Sequence, residues 1–268
     1  MQMHTLEIHG GTDRSGLPER VASLRVRSGE SLAVVGPTGS GKSELLADIE
    51  QLAWGDTPSR RRVLLDGEPS RAGGLGLVAT LSQRTNFVMD ADVESFVRLH
   101  AAALGKAAPG QVQAVVDLAN SLCGEPIGRQ SALQRLSGGQ TRALMIADLA
   151  LISNAPVVLI DEVENAGIDK HRALAALAGG GKIVLTATHD PVLMLMNERR
   201  LVMGGGGMRH VLAISEAERG GLAELAAHDT ALLTARDCLR QGDRLSGPCG
   251  QGDRPCRITP TVSAKEAC

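Results

Sequence analysis

Apolar residues along this chain fall into two kinds of run. Short stretches rich in Val, Leu and Ile, bordered by turn residues, occur at SLAVVG (31–36), RVLLDG (62–67), GLGLVATLSQ (74–83), PVVLID (156–161) and KIVLTATHD (182–190). Their length and borders predict β-strands. In AVVG, VVLID and IVLTAT the apolar residues are consecutive rather than alternating, which predicts strands buried on both faces of a mostly parallel sheet flanked by helices. Helical periodicity marks VESFVRLHAAALG and APGQVQAVVDLANSLCG, with a break at Pro109 and Gly110. A helical insert is therefore expected from about Asp92 to Ser131, ending at the loop LSGGQ (136–140). From about Gly242 onward the chain is rich in Gly, Pro and charge and short of apolar periodicity, which predicts a disordered tail.

Composition narrows the partners. With 268 residues and 43% hydrophobic content the chain can bury a proper core. A net charge of -2 and a pI near 6.4 give no basic field, so nucleic acid is not expected as a partner. No apolar run approaches the roughly 18 residues of a bilayer span, and MQMHTLEIHG lacks the apolar core of a signal peptide, which points to a cytosolic chain. Aromatics are 1% of residues and tyrosine is missing, so the core is expected to be aliphatic. Cys123 stands alone, while Cys238, Cys249, Cys256 and Cys268 crowd the C-terminus at spacings that match no zinc-knuckle pattern.

The chemistry begins with GPTGSGKS, Gly36, Pro37, Thr38, Gly39, Ser40, Gly41, Lys42 and Ser43, which fits G-x-x-x-x-G-K-[ST] between a predicted strand and the predicted helix SELLADIEQLA. In that setting backbone N–H groups wrap a β-phosphate, Lys42 neutralises β and γ charge, and Ser43 reaches Mg²⁺. The apolar strand VVLIDE supplies two carboxylates. Asp161 is the candidate Mg²⁺ holder, and Glu162 either polarises the attacking water or merely caps the following turn. Gln83, at the end of LVATLSQ, is a neutral amide able to touch Mg²⁺ or the water. His189 ends the strand IVLTAT, where ligand sites of open α/β sheets collect; it is either structural or a donor to a γ-phosphate. LSGGQ is a second candidate anion cradle. Its serine and glycines open a helix, where exposed N–H groups and the dipole favour a phosphate, but it holds no lysine.

The order GPTGSGKS, Gln83, LSGGQ, VVLIDE, His189 resembles the nucleotide-binding subunit of ATP-binding cassette (ABC) transporters, over about residues 5–213. The resemblance implies an α/β fold: a P-loop NTPase RecA-like core, an antiparallel β subdomain on the N-terminal side, and a helical subdomain carrying the signature, here about 84–140. The cassette would span 1–241 and the tail 242–268. Two cassettes would pack head to tail, so that Ser137, Gly138, Gly139 and Gln140 of one complete the ATP site held by the P-loop of the other. The implied ligands are ATP and Mg²⁺, with Ser43, Gln83 and Asp161 toward the metal, Glu162, His189 and Gln83 in catalysis, and Asp169 in communication between sites. The implied function is an ATP-hydrolysing subunit, peripheral on the inner face of the cell membrane, that powers a separate membrane permease by ATP-driven dimerisation. The alternative is a soluble ABC-type ATPase of a process such as cofactor or iron–sulfur cluster assembly.

Two departures stand out. The family stacks adenine on an aromatic residue before the P-loop strand, but LEIHGGTDRSGLPERVASLRV contains none, and His9 is the flat side chain at hand. Where the family has S-A-L-D after the carboxylate pair, this chain has Ala166, Gly167, Ile168 and Asp169, which keeps the acid and loses the serine. Phe87, Val88 and Met89 either form a docking surface for a membrane subunit or pack inside the helical subdomain.

Overall fold

The structure is a computed structural model that describes residues 4–70, 76–82, 86–161, 168–240 and 242. In chain order the strands and α-helices among the described residues are β1 (Thr5–His9), β2 (Ser23–Arg27), β3 (Ser31–Val35), α1 (Lys42–Gln51), β4 (Arg62–Leu65), β5 (Glu68–Pro69), β6 (Val78–Leu81), α2 (Val93–Ala103), α3 (Gln111–Leu122), α4 (Gly138–Leu151), β7 (Val157–Asp161), α5 (Lys170–Gly179), β8 (Ile183–Ala187), α6 (Pro191–Met196), β9 (Arg199–Gly204), β10 (Gly207–Ala213) and α7 (Glu216–Arg240), with a 3-10 turn at Leu133–Arg135 before α4. Contacts group the chain through Ile214 into one unit and the part from Ser215 into another.

Two sheets organise the first unit. A six-stranded sheet runs in the order β10-β9-β3-β8-β7-β6, with β9, β3, β8, β7 and β6 parallel neighbours and β10 antiparallel to β9. A four-stranded antiparallel sheet runs β2-β1-β4-β5. The consecutive apolar residues of the central strands do face both ways. Val157 and Leu159 join a core with Leu45 and Ile49 of α1 and with Leu6, Ile8, Leu24 and Val26 of the antiparallel sheet. Val158 and Ile160 join the opposite core, filled by α2, α3, α4 and α5. A period of two therefore divides one apolar run between two layers. In β1 and β2 the burial alternates, so only one face packs, on α1. Each fully buried Leu, Ile or Val contributes about 1.5–3 kcal/mol relative to exposure.

Of the strand expected over 74–83, Val78–Leu81 is strand among the described residues, and the one expected over 182–190 runs Ile183–Ala187, after which the chain leaves the sheet toward His189. The helical insert stands as α2 and α3, with Gly110 in the left-handed conformation at the start of α3, where its missing side chain removes the strain. Phe87 and Met89 pack on the helical core, with Phe87 edge-on to Phe96 at 4.8 Å, whereas Val88 is 94% exposed. In the second unit, Ser215 and Glu218 open α7 with a reciprocal capping pair, Ser215 N–H to Glu218 Oε2 (2.9 Å) and Glu218 N–H to Ser215 Oγ (3.3 Å). The expected tail, with Cys249, Cys256 and Cys268, lies outside the described residues, and among those described no helix is long and apolar enough to cross a membrane.

Candidate functional site

The parallel strands deliver the predicted chemistry to one edge. The P-loop follows β3, His189 follows β8, and Asp161 closes β7, and these are adjacent strands whose carboxyl ends align: Val34 is opposite Ala187, and Ala187 opposite Asp161. Open α/β sheets bind ligands at that edge. Gln83 and Glu162 belong to the same strand ends in sequence but lie outside the described residues, as do Ala166 and Gly167.

The P-loop turns on glycines. Gly36 has φ +151°, and a Cβ there would come 2.6 Å from the Met203 carbonyl oxygen. Gly41 has φ +100°, and a Cβ would come 2.9 Å from Gly206 Cα, so no other residue fits without moving backbone. The helix that follows is left open. Gly41 caps α1 without a side-chain hydrogen bond, as Gly110 does α3, whereas Asp92, Ser137, Asp169 and Asp190 cap α2, α4, α5 and α6 with theirs. Lys42 folds back over the loop, donating to the carbonyls of Gly36 (2.8 Å) and Pro37 (3.4 Å), with His189 Nε2 3.0 Å away. A lysine ammonium only donates, so that last contact is a hydrogen bond when Nε2 is the bare ring nitrogen and the proton sits on Nδ1. Ser40 Oγ is buried without a partner among the described residues. A cleft of about 190 Å³ lies over the loop, lined by Arg14, Thr38–Glu44 and His189.

These features fit a phosphate chain. An uncapped helix start, a recessed ammonium bonded only to groups it can exchange, and an orphaned hydroxyl are all donors awaiting an acceptor. Mg²⁺ fits as well, since it keeps several waters and takes few protein ligands besides phosphate. An exposed Ser43 hydroxyl and the Asp161 carboxylate meet that demand, and among the described residues no cluster of three or more His, Cys, Asp or Glu competes as a metal site.

LSGGQ is built differently. Ser137 Oγ accepts from Gln140 N–H (3.3 Å), Gln140 Oε1 accepts from Ser137 N–H (2.9 Å), and Gln140 Nε2 donates to the Pro126 carbonyl (3.1 Å). The motif closes its own helix end while leaving Ser137 and Gly138 exposed. None of its residues lines the P-loop cleft.

The family model described as "ABC transporter" matches residues 20–165. An uncharacterised ABC transporter ATP-binding protein of Methanocaldococcus jannaschii is 49% identical over 251 residues, 92% of this chain and 96% of that protein. This chain belongs to the ABC transporter ATP-binding family. The lipoprotein-releasing system ATP-binding protein LolD of Shewanella frigidimarina is 34% identical over 75% of this chain and 87% of its own length. In fold, the cassette is similar to cbiO1 of Clostridium perfringens, part of the ABC transporter complex cbiONQ, with TM-score 0.58 and 21% identity over 90% of this chain and 98% of that one.

The cassette also holds parts that the motifs do not announce. Fully buried Arg61 donates to Glu19 (2.7 Å), Asp48 (2.8 Å) and the Gly206 carbonyl (2.8 Å). Burial opposes its charge, yet the hydrogen bonds and charges of Glu19 and Asp48 hold its pKa above the usual arginine value. Glu19 in turn accepts from Gly11 N–H (3.0 Å) and Met208 N–H (2.6 Å), and Asp48 from Ser59 Oγ (2.7 Å). The network ties the loop after β1, the P-loop helix, β4 and the turn between β9 and β10. That turn, within the glycine run 204–207, presses on the P-loop: Gly206 N–H donates to the Ser40 carbonyl at 3.0 Å. Four consecutive glycines were the available signal, since such a run marks a backbone that another backbone must approach.

Asp169 caps α5 by accepting from Arg172 N–H (3.0 Å), and its own N–H donates to the Leu122 carbonyl of α3 (2.7 Å). Next to it, Lys170 donates to Asp190, both nearly buried, and Asp190 follows His189 and caps α6. His9 does not line the cleft. It lies on β1 beside Glu7, 3.8 Å away.

Proposed function

We propose that this cassette is the ATP-binding and ATP-hydrolysing subunit of an ABC transporter, working as one of two cassettes on a separate membrane permease at the inner face of the membrane. One observation carries the reading: the P-loop cleft is lined by no signature residue, while the signature stands exposed on its own closed helix end. A cleft without its lid and a lid without a nucleotide are complementary, and a head-to-tail pair joins them. The sequence relatives named as transporter ATP-binding proteins support the transporter setting over an assembly ATPase.

In this reading Gly36, Pro37, Thr38, Gly39, Ser40, Gly41, Lys42 and Ser43 hold the phosphates of ATP, and Lys42 exchanges the carbonyls of Gly36 and Pro37 for phosphate oxygens. Ser43, Asp161 and Gln83 would hold Mg²⁺, which would neutralise phosphate charge. His189, freed from Lys42, turns to the γ-phosphate. Glu162 polarises the attacking water as general base, and the Ser137–Gln140 motif of the other cassette closes the site. Asp169, bonded to α3, and Lys170, bonded to Asp190, would link the start of α5 to both the helical subdomain and the His189 loop. Domain limits of 1–241, with a tail from 242, belong to the same reading.

The test is Glu162→Gln, which keeps size and removes the base. ATP binding should persist while hydrolysis nearly vanishes, and hydrolysis at the wild-type rate would remove Glu162 from the role. Purification of the native protein should bring an integral membrane protein with it; a soluble assembly partner instead would favour the other class of ABC ATPase.

A further inference from the structure

The cleft over the P-loop has a wall that no phosphate-loop motif supplies. Arg14, in the loop after β1, lines it together with Thr38–Glu44 and His189. Arg14 and Glu44 are also shared walls of a second, larger cleft of about 400 Å³, bounded by Thr12, Asp13, Gly16, Pro58, Ser59, Arg60 and Gly206. The two clefts are thus contiguous at Arg14.

The loop that carries Arg14 is held from several sides. Asp13 Oδ1 accepts from Ser15 N–H (2.9 Å) and Leu17 N–H (3.1 Å), and Asp13 Oδ2 lies 3.3 Å from Arg209. Arg14 N–H donates to the Gly205 carbonyl at 3.0 Å. Its side-chain stem crosses Gly206 so closely that a Cβ there would meet Arg14 Cγ at 2.5 Å. Gly206 in turn rests on Gly41 and is bonded by buried Arg61. The stem is therefore fixed relative to the P-loop. The head is not: among the described residues the Arg14 guanidinium makes no hydrogen bond or ion pair, while the neighbouring Arg61 and Arg209 are both paired with carboxylates.

We propose that Arg14 is a nucleotide-binding residue whose guanidinium pairs with the α-phosphate of the bound nucleoside triphosphate, where the phosphate chain leaves the P-loop for the second cleft. The inference rests on the nucleotide-binding reading above. Direction along the cleft follows from the P-loop: a P-loop lysine reaches the β- and γ-phosphates, and the backbone of the loop takes the α/β end. Lys42 sits against His189, which marks the γ end, so Arg14 and Glu44, at the junction with the second cleft, mark the other. An anion at that junction meets the Glu44 carboxylate, and Arg14 is the cation that offsets it. The planar fork of a guanidinium matches a phosphate with two parallel hydrogen bonds. Because this contact reads charge and not a base, and no aromatic residue stands in the segment before β3, discrimination among ATP, GTP and CTP should be weak.

The experiment measures displacement of a fluorescent ATP analogue by ATP, GTP, CTP and inorganic tripolyphosphate, from wild type, Lys42→Ala, Arg14→Met and Arg14→Lys. Arg14→Met keeps the stem over Gly206 and removes only the charge. It should weaken all four competitors by a common factor of about ten, and Arg14→Lys should recover most of that. Raising salt should weaken wild type more than Arg14→Met. If Arg14→Met binds within about twofold of wild type while Lys42→Ala does not bind, the Arg14 inference fails and the nucleotide reading stands. A loss confined to ATP and GTP, sparing CTP and tripolyphosphate, means base stacking and overturns the phosphate pairing. Wild type that binds none of the four overturns both.

Discussion

Two helices of this cassette begin at glycine-rich loops suited to an anion, and they are finished in opposite ways. At α1 the cap is a glycine with no side-chain bond, the ammonium of Lys42 is folded inward, and the loop is clamped by the glycine turn between β9 and β10. At α4 the cap is a reciprocal pair, Ser137 with Gln140, on an exposed surface with no lysine in the motif. The first is a container whose donors wait for a ligand. The second is satisfied without one, so it is stable on a bare surface; in the proposed pair it would exchange its cap for a phosphate held by the other cassette. Their supports differ too: the P-loop helix is tied by the buried Arg61–Glu19–Asp48 network, whereas the signature helix packs Ala143, Leu144, Ile146 and Ala147 on the helical core and pairs its buried Asp148 with His100.

The sharpest way to break the comparison is complementation. Lys42→Ala and Ser137→Arg should each abolish hydrolysis, the first by preventing nucleotide binding and the second while leaving it intact. Mixed, they should recover about a quarter of wild-type activity, because random pairing gives half the dimers one sound site of two. No recovery, in dimers shown by mass to have exchanged subunits, would place the signature's action on its own chain's nucleotide or make hydrolysis require both sites.

Removing the supports comes next. Arg61→Met leaves two buried carboxylates uncompensated and should cost about 3–5 kcal/mol in chemical denaturation. Adding Glu19→Gln and Asp48→Asn to it should restore much of that loss, since the unpaired charges go. On the other side, Leu144→Ala, fully buried in α4, should cost about 2–5 kcal/mol through the cavity it leaves, and no polar second change should rescue it. Equal rescue at both places would erase the distinction.

A smaller effect belongs to the cap. Ser137→Ala should destabilise the folded protein by about 1 kcal/mol, measured without nucleotide. Were the signature an open cradle like the P-loop, removal of the hydroxyl would leave stability unchanged.

An effect read only against pH lies at the foot of the signature helix. Lys182, bonded to the carbonyls of Ser153 (3.0 Å) and Ala155 (2.7 Å), has its pKa pushed down to about 8, by burial first and by the charge of Lys106 next. A depressed folded-state value means that its contribution to stability is present above the usual lysine range and lost as pH falls through about 8. Stability of wild type relative to Lys182→Met should therefore rise from about pH 8 toward 10.5 in denaturation curves. A flat difference across that window would show that Lys182 is not desolvated in the folded state.

How much of this was legible in the chain depends on how local each cause is. The buried strands were legible because runs such as VVLID are too apolar for an exposed face, and α2 and α3 because their apolar spacing and the Pro109–Gly110 break are properties of short segments. The P-loop and LSGGQ were legible because phosphate chemistry demands glycines at fixed spacing. Arg14 and Arg61 were not, and the glycine run at 204–207 signalled a close backbone approach without its partner, because each acts on residues far along the chain. The absence of an aromatic residue before the P-loop is visible in the sequence, but that Arg14, laid over Gly206, forms a wall of the cleft while His9 does not is decided by packing.

By itself the sequence determined which segments are buried, where the chain turns, and where glycine-rich loops open a helix, since those follow from side-chain polarity and backbone freedom within a few residues. Tertiary structure decided the rest. Sheet order brought the ends of β3, β8 and β7 side by side, so that residues about 120 to 150 positions apart share one edge. Close packing pressed Gly206 onto Gly41 and laid Arg14 over it, a contact that depends on three backbones meeting with no side chain between them. The same folding kept LSGGQ out of the cleft, because the helix it begins packs its buried face on the helical core and leaves its N-terminus outside.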